Sequence, residues 1–313
     1  MPRVKRLATT LCGIPLRNPI IAAAGTAGYG PEIAEVVPAS TFGAITTKSI
    51  TPESRAGNAP WRVTDLPAGM LNAIGLANVG LDRFMLETIP EIQNLDTVMI
   101  GSIAGHEIAD YTEVALAFAR PEASCLRLIE LNVSCPNTST GRQFGDDPAM
   151  LGELVAEVAR ILDGKPLLVK LSPGAPDPVG LAEVAVRSGA AGLTVANTMP
   201  AMAIDPETRR SRIGRAAGGL SGPAIHPVAV RLVHDVRRRL DEVAPGTPIV
   251  GLGGVLSWRD AAEFMLVGAD AVGVGTALFV DPRTPRRLVR DLERWVVRQD
   301  ADTVGELVGA FEP

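Results

Sequence analysis

One short stretch gathers groups that can do chemistry: Glu130-Leu131-Asn132-Val133-Ser134-Cys135-Pro136-Asn137-Thr138. An apolar run, Leu126 to Val133, leads into it and breaks into a polar loop carrying a single cysteine. A thiol at the mouth of a strand can move a proton or act as a nucleophile. The carboxamides Asn132 and Asn137 flank it and can pair with the C=O and N–H edges of a flat polar ring. The competing reading is a turn around a buried structural thiol, since free cysteine is often core filler.

Other polar residues stand just past the ends of apolar runs: Lys48, Ser49, Ser102, Lys170, Asn197 and Thr198. Gly253-Gly254 and Gly275-Thr276 each follow such a run and precede a helical pattern, and Ser221-Gly222 opens the helix before them. Glycines there let backbone N–H groups approach an anion, aided by the helix dipole. Tight packing of a helix on a strand would need the same glycines. A phosphate grip with two lysines, Lys48 and Lys170, suits a phosphorylated cofactor with an electron-rich ring. Flavin mononucleotide (FMN) is one; a lysine beside its N1–C2 edge would favour the reduced form. Pyridoxal phosphate is another, but neither lysine stands out as a Schiff-base donor and the amides would have no role.

These residues need a scaffold that brings strand ends together. Eight runs read as strands: Pro19–Ala24, Gly43–Thr47, Thr97–Ile100, Leu126–Val133, Leu167–Leu171, Gly192–Ala196, Pro248–Leu252 and Asp270–Val274. Most are continuously apolar, as parallel strands covered on both faces are. Helical patterns alternate with them. The clearest runs from Ile225 to Val243, with Arg231, Arg237, Arg238 and Arg239 expected on a solvated face. Asp147-Pro148 and Asp177-Pro178 are N-cap and first-turn pairs opening two more. Leu288, Leu292 and Trp295 continue the rhythm after the eighth strand. The pattern predicts an α/β fold, a (β/α)₈ TIM barrel forming one domain over residues 1–313, with a short N-terminal hairpin between Leu7 and Leu16. A doubly wound sheet is the alternative, but no G-x-G-x-x-G follows the first strand. Two long connections, Ile50 to about Gly80 and Met199 to Ser221, are expected as structureless lids over the C-terminal face.

Composition narrows the function classes. The 313 residues are 46% hydrophobic, enough for a large core, and the net charge of −5 gives no reason to expect nucleic acid or an anionic membrane. Cys12, Cys125 and Cys135 are far apart, with no metal or disulfide spacing, which fits a reducing cytoplasm. No run reaches the ~18–20 apolar residues of a membrane span. No signal peptide is expected. His106, His226 and His234 have no acid or nucleophile partner in the motifs and are expected to be non-catalytic.

At these motifs the sequence resembles the class 1 dihydroorotate dehydrogenases, more closely the B type, over nearly the whole chain. Asn132-Val133-Ser134-Cys135-Pro136-Asn137, Pro67-Ala68-Gly69-Met70-Leu71-Asn72-Ala73-Ile74-Gly75-Leu76, Phe144-Gly145-Asp146-Asp147-Pro148 and Gly218-Gly219-Leu220-Ser221-Gly222 carry the resemblance. It implies an FMN enzyme oxidising (S)-dihydroorotate to orotate in pyrimidine synthesis. Cys135 would remove the C5 proton and a hydride would pass from C6 to the flavin. Asn72, Asn132, Asn137 and Asn197 would bind the substrate, with Lys48, Thr198, Ala73 and the backbone of Ile74, Gly75 and Leu76. Ala24, Lys48, Ser49, Ser102, Asn132, Lys170, Ala196, Gly222, Gly253, Gly254, Gly275 and Thr276 match the flavin positions. Relatives typically carry Ser at the position of Ala24, Asn at that of Ser102 and a larger residue at that of Ala196, which bears on flavin tuning. The resemblance also implies a homodimer, flanked in the B type by partner subunits that carry FAD and an iron–sulfur cluster and reduce NAD⁺. The alternatives are a flavoenzyme acting on uracil-type rings, as in dihydropyrimidine dehydrogenase, and a non-catalytic phosphate-ligand barrel.

Overall fold

The computed structural model describes residues 6–134 and 144–312. The chain opens with the expected hairpin, β1 (Thr9–Leu11) antiparallel to β2 (Ile14–Leu16). Cys12 and Gly13 turn it, both at positive φ, the geometry that matches a tight hairpin to strand twist. Then come β3 (Ile20–Ala22), β4 (Ala44–Thr46), β5 (Val63–Leu66), β6 (Gly69–Asn72), β7 (Val98–Ile103) and β8 (Leu126–Asn132). Beyond residue 144 follow β9 (Leu167–Leu171), β10 (Gly192–Val195), β11 (Met199–Ala201), β12 (Ile204–Asp205), β13 (Arg210–Ser211), β14 (Gly218–Ser221), β15 (Ile249–Leu252) and β16 (Ala271–Val274).

Eight of these close into the expected barrel, in the order β3-β4-β7-β8-β9-β10-β15-β16, every pair parallel. Closure is made by β16 on β3, with Val272 opposite Ile20 and Val274 opposite Ala22. Seven of the eight predicted runs contain a barrel strand, and the third overlaps one. The third is longer than expected, because Gly101 to Ile103 go on pairing with β8.

Helices cover the outside. Pro148–Leu162 and Pro178–Arg187 begin where the Asp-Pro pairs place them. Asp147 accepts from Ala149 N and Met150 N at 3.0 and 3.2 Å, and Asp177 accepts from Gly180 N at 2.9 Å. Helix His226–Val243 packs Ala229, Leu232, Val233, Val236 and Leu240 inward, and helix Thr284–Arg298 does the same with Leu288, Leu292 and Trp295. The barrel interior has its own core. Leu11 and Leu16 of the hairpin cap its N-terminal end against Ile21, Ala44, Ile100, Leu128, Leu168, Val250 and Ala271.

Two expectations need correction. The long connections are not structureless: β5, β6, β11 and β14 form a four-stranded antiparallel sheet in the order β11-β14-β6-β5. Asn72 lies opposite Gly219 and Leu71 opposite Leu220, nearly 150 residues apart, so no local pattern could announce the pairing. The arginine cluster is also not uniformly solvated. Arg231 and Arg238 are exposed, but Arg237 is only 15% exposed, pairs with Asp241 at 2.9 Å and donates to the Thr247 carbonyl at 2.8 Å. Its aliphatic stem lies against Gly268, where a Cβ would come within 2.4 Å of it.

Leu168 is fully buried inside the barrel. Leu168→Ala should leave a cavity that the closed sheet cannot collapse around. We expect it to cost about 2–5 kcal/mol of unfolding free energy, measured by urea denaturation.

Candidate functional site

The C-terminal ends of the barrel strands surround a cavity of about 370 Å³, roofed by the four-stranded sheet. From the strand ends come Ala24, Lys48, Ser49, Asn132, Lys170, Ala196, Asn197, Thr198, Gly253, Gly254, Gly275 and Thr276. Asn72, Ile74, Gly75, Leu76 and Gly222 come from the connections above. Seventeen of the residues expected at the site therefore share one chamber. Period-two alternation explains why the strands deliver them: Leu128 and Leu168 face the lower barrel core, and Asn132 and Lys170 lie further along the same inward rows.

The carboxamides converge on one side. Asn197 Nδ2 donates to Asn132 Oδ1 at 3.1 Å and to Ser134 Oγ at 3.0 Å, while its Oδ1 accepts from Thr198 N at 2.8 Å. Asn132 is held from behind by Tyr111, whose hydroxyl donates to its carbonyl at 2.9 Å. Asn72 Nδ2 donates to Gly219 O at 3.1 Å, tying the side chain to the roof. These bonds fix the amide planes while leaving further donor and acceptor positions for a ring of alternating C=O and N–H groups.

Lys170 supplies charge at the floor. It is 6% exposed, and its ammonium makes no hydrogen bond to any described residue. The nearest acid is Glu130, Oε1 at 3.9 Å. A buried ammonium with free donors and a face on a cavity is a ready site for an electron-rich acceptor.

The glycine turns form the opposite end. The N–H groups of Gly253, Gly254, Gly275 and Thr276 donate to no described backbone carbonyl. Gly254 has φ +67°, and a Cβ there would come within 2.7 Å of the Gly222 carbonyl and 2.8 Å of His226 Cβ. The turn is therefore glycine by steric necessity as well as by backbone conformation. Thr276 Oγ1 donates to Ser221 Oγ at 2.7 Å, joining the two turns through the roof strand. His226 Nδ1 lies 2.8 Å from the Gly253 carbonyl and braces the turn from outside. Contrary to the sequence reading, this imidazole has an acidic neighbour, Glu263 at 3.4 Å, but it does not line the cavity. His106 and His234 do not line it either.

Two expected residues stand apart, and two lie outside the described residues. Ser102 is fully buried one layer back, its hydroxyl 2.8 Å from that of Ser49. Ala73 faces away and bonds within the roof, its N–H to Arg62 O and its carbonyl to Asn58. Cys135 and Asn137 lie outside the described residues, although Ser134, directly before them, lines the cavity. Sequence reasoning missed the apolar lining from Met70, Val63, Ile225, Leu252 and Phe279. Met70 and Val63 reach it through the unforeseen roof sheet. Phe279 follows the last glycine turn and could have been read from that position.

The remaining thiols are chemically quiet. Burial pushes Cys12 up to about 12, with the nearby Asp270 charge adding to the effect, and burial also raises Cys125. Both remain protonated at neutral pH, and the thiolate is the reactive form.

Comparison with known proteins adds a family. A family model described as dihydroorotate dehydrogenase matches residues 6–296. A protein of Citrifermentans bemidjiense named dihydroorotate dehydrogenase B (NAD(+)), catalytic subunit, is 42% identical over 308 residues, covering 98% of both chains. One of Shouchella clausii with the same name is 39% identical over 307 residues, 98% of each. A protein of Solibacter usitatus, provisionally named dihydroorotate dehydrogenase A (fumarate), is 42% identical over 308 residues, 98% of this chain and 99% of its own.

The glycine end can be tested alone. Gly254→Ala should fold yet displace the turn, weakening binding of a phosphate monoester at least tenfold, as read by titration of the ligand-free chain. Unchanged affinity would remove this turn from anion binding.

Proposed function

The chain belongs to the dihydroorotate dehydrogenase family, and from that membership we propose that it oxidises (S)-dihydroorotate to orotate with FMN as the immediate electron acceptor, one FMN per chain. One observation carries the reading: a single chamber has amides at one side, a buried ammonium at its floor and uncommitted backbone N–H groups at its far end.

The donor set fits such a cofactor. Gly222, Gly253, Gly254, Gly275 and Thr276 would hold the phosphate. Lys170, with Ala24, Lys48, Ser49 and Ala196, would surround the ring system. Ser102 would act through Ser49 rather than by contact, since the two hydroxyls are hydrogen-bonded. When bound, FMN supplies the acceptor for the hydride that leaves substrate C6.

The chain's own residues do the rest. Asn72, Asn132 and Asn197, joined by Asn137, would pair with the ring amides and carboxylate of the substrate. A site built to pair these groups rejects analogues that leave its amides unpaired. Lys48 and Thr198, with the Ile74–Leu76 backbone, would close the pocket. The roof sheet would limit the access of water above them. Cys135, as thiolate, would take the C5 proton, so that loss of a proton from C5 and a hydride from C6 leaves the C5=C6 double bond. Cys12 and Cys125 cannot substitute for it, being protonated and away from the cavity.

Electrons would then pass to NAD⁺ through a partner subunit carrying FAD and an iron–sulfur cluster, with two catalytic chains paired as a homodimer. The B-type names among the relatives support this; the fumarate-linked name at equal identity makes the acceptor a separate question. Copurification from the native host, followed by a test of dihydroorotate-dependent NAD⁺ reduction, decides it.

The purified protein should be yellow, with absorbance near ~450 nm bleached by dihydroorotate and not by dihydrouracil. Colour that dihydroorotate leaves unbleached would overturn the assignment. Cys135→Ser should keep the flavin yet slow its reduction by ~10²–10⁴-fold near neutral pH, followed by stopped-flow absorbance. Brief alkylation of the native protein near neutral pH should label Cys135 alone, as mapped by peptide mass analysis, and abolish turnover. Labelling of Cys12 or Cys125 at a comparable rate would contradict their raised pKa values.

A further inference from the structure

We propose that Glu130 is a positioning residue that acts through Lys170 and sets how much positive charge the chamber floor presents to its ligand. The inference rests on the flavin reading above and goes beyond it, because Glu130 does not line the chamber.

The barrel interior is layered. The lower layer is wholly apolar, from Ile21, Ile100, Leu128, Leu168 and Val250. The next layer holds Glu130, Lys170, Thr194 and Thr46, all buried. Glu130 sits two residues beyond Leu128 and Lys170 two beyond Leu168, so the same inward rows change from aliphatic to ionic in one step. Thr194 pairs directly with Lys170 across β9 and β10, and Asn132 pairs with Lys170 across β8 and β9. The ionic layer thus lies directly beneath the chamber.

Glu130 is held firmly but incompletely. It is 3% exposed, and its Oε2 accepts from Thr194 Oγ1 at 2.8 Å. Its Oε1 is buried with no hydrogen bond and faces the Lys170 ammonium at 3.9 Å. The void between them, lined also by Thr46 and Thr194, is about 10 Å³, at the lower limit for one water. Burying a carboxylate is costly, and aliphatic side chains commonly stabilise such a site better. The layer below shows that this barrel can close with aliphatics. A purely structural brace is therefore a poor account of an acid here.

Charge on the floor has a specific consequence. Reduced flavin is more negative than oxidised flavin, so a nearby cation favours reduction, and a carboxylate behind that cation offsets it in a low-dielectric interior. Lys170 reaches the chamber and Glu130 does not, so the acid acts only by opposing and orienting the lysine.

The test is a redox titration of the flavin-loaded protein against a reference dye, comparing wild type, Glu130→Gln and Glu130→Asp. Glu130→Gln removes the opposing charge and should raise the midpoint potential by roughly 30 mV or more, a tenfold change in the relative affinity for reduced and oxidised flavin. Glu130→Asp keeps the charge but draws it away from Lys170, and should shift the potential in the same direction by less. It also guards against failure of the glutamine variant to fold. A potential in either folded variant that equals or falls below the wild-type value would overturn the proposal, since a brace alone would leave it unmoved. A wild-type chain that takes up no FMN would instead defeat the functional reading, and the inference with it.

Discussion

Everything at the chamber depends on the closure of β16 onto β3. The backbone ladder between residues 20–22 and 271–274, backed by Ile20, Ala22, Val272 and Val274 in one core, turns an open sheet into a ring whose strand ends share one rim. Without it, the glycine turns after β15 and β16 would lie at one edge, far from Lys48 and Ala24. Parallel closure also fixes direction: every C-terminal end faces the same mouth, so chemistry at one end of each strand becomes chemistry in one place. The hairpin cap of Leu11 and Leu16 seals the other mouth with aliphatic surface, which leaves the polar end as the place for a ligand.

The roof answers a second constraint. A chamber open to water could not keep amides and an ammonium poised for one ring, because water would compete for each. The sheet of β5, β6, β11 and β14 ties two long connections to each other by backbone pairing. Asn72 is bonded to Gly219 within that pairing, so the same ladder that builds the roof fixes an amide that lines the chamber. Below, the change from aliphatic to ionic side chains along β8 and β9 marks the level where packing gives way to ligand electrostatics.

Much of this was legible in the sequence because its signals are local. Continuous apolar runs identified all eight barrel strands, and Asp147-Pro148 and Asp177-Pro178 marked helix starts that the cap bonds explain. Polar residues at the run ends gave most of the chamber, since the barrel topology alone decides that strand ends meet. The roof was not legible, because Leu71 and Leu220 must find each other across nearly 150 residues and neither segment advertises a partner. Spacing along β7 does not reveal that Ser102 is fully buried behind the chamber lining, with its hydroxyl bonded to that of Ser49. Glu130 opens the stretch that carries Asn132 and Ser134, but its partners Thr194 and Lys170 lie on other strands of the barrel. The B-type and fumarate-type names at equal identity show a similar limit: overall likeness does not separate the two acceptors.

The central claim is that one chamber holds a phosphorylated ring cofactor with its phosphate at the glycine turns and its ring over the Lys170 floor. An experimental structure of the chain soaked or purified with FMN tests it most directly. The account predicts phosphate oxygens within hydrogen-bond reach of the Gly253, Gly254, Gly275 and Thr276 N–H groups, with the ring beside Lys170. A cofactor bound at another mouth, or with its phosphate toward Asn132 and Asn197, would contradict it.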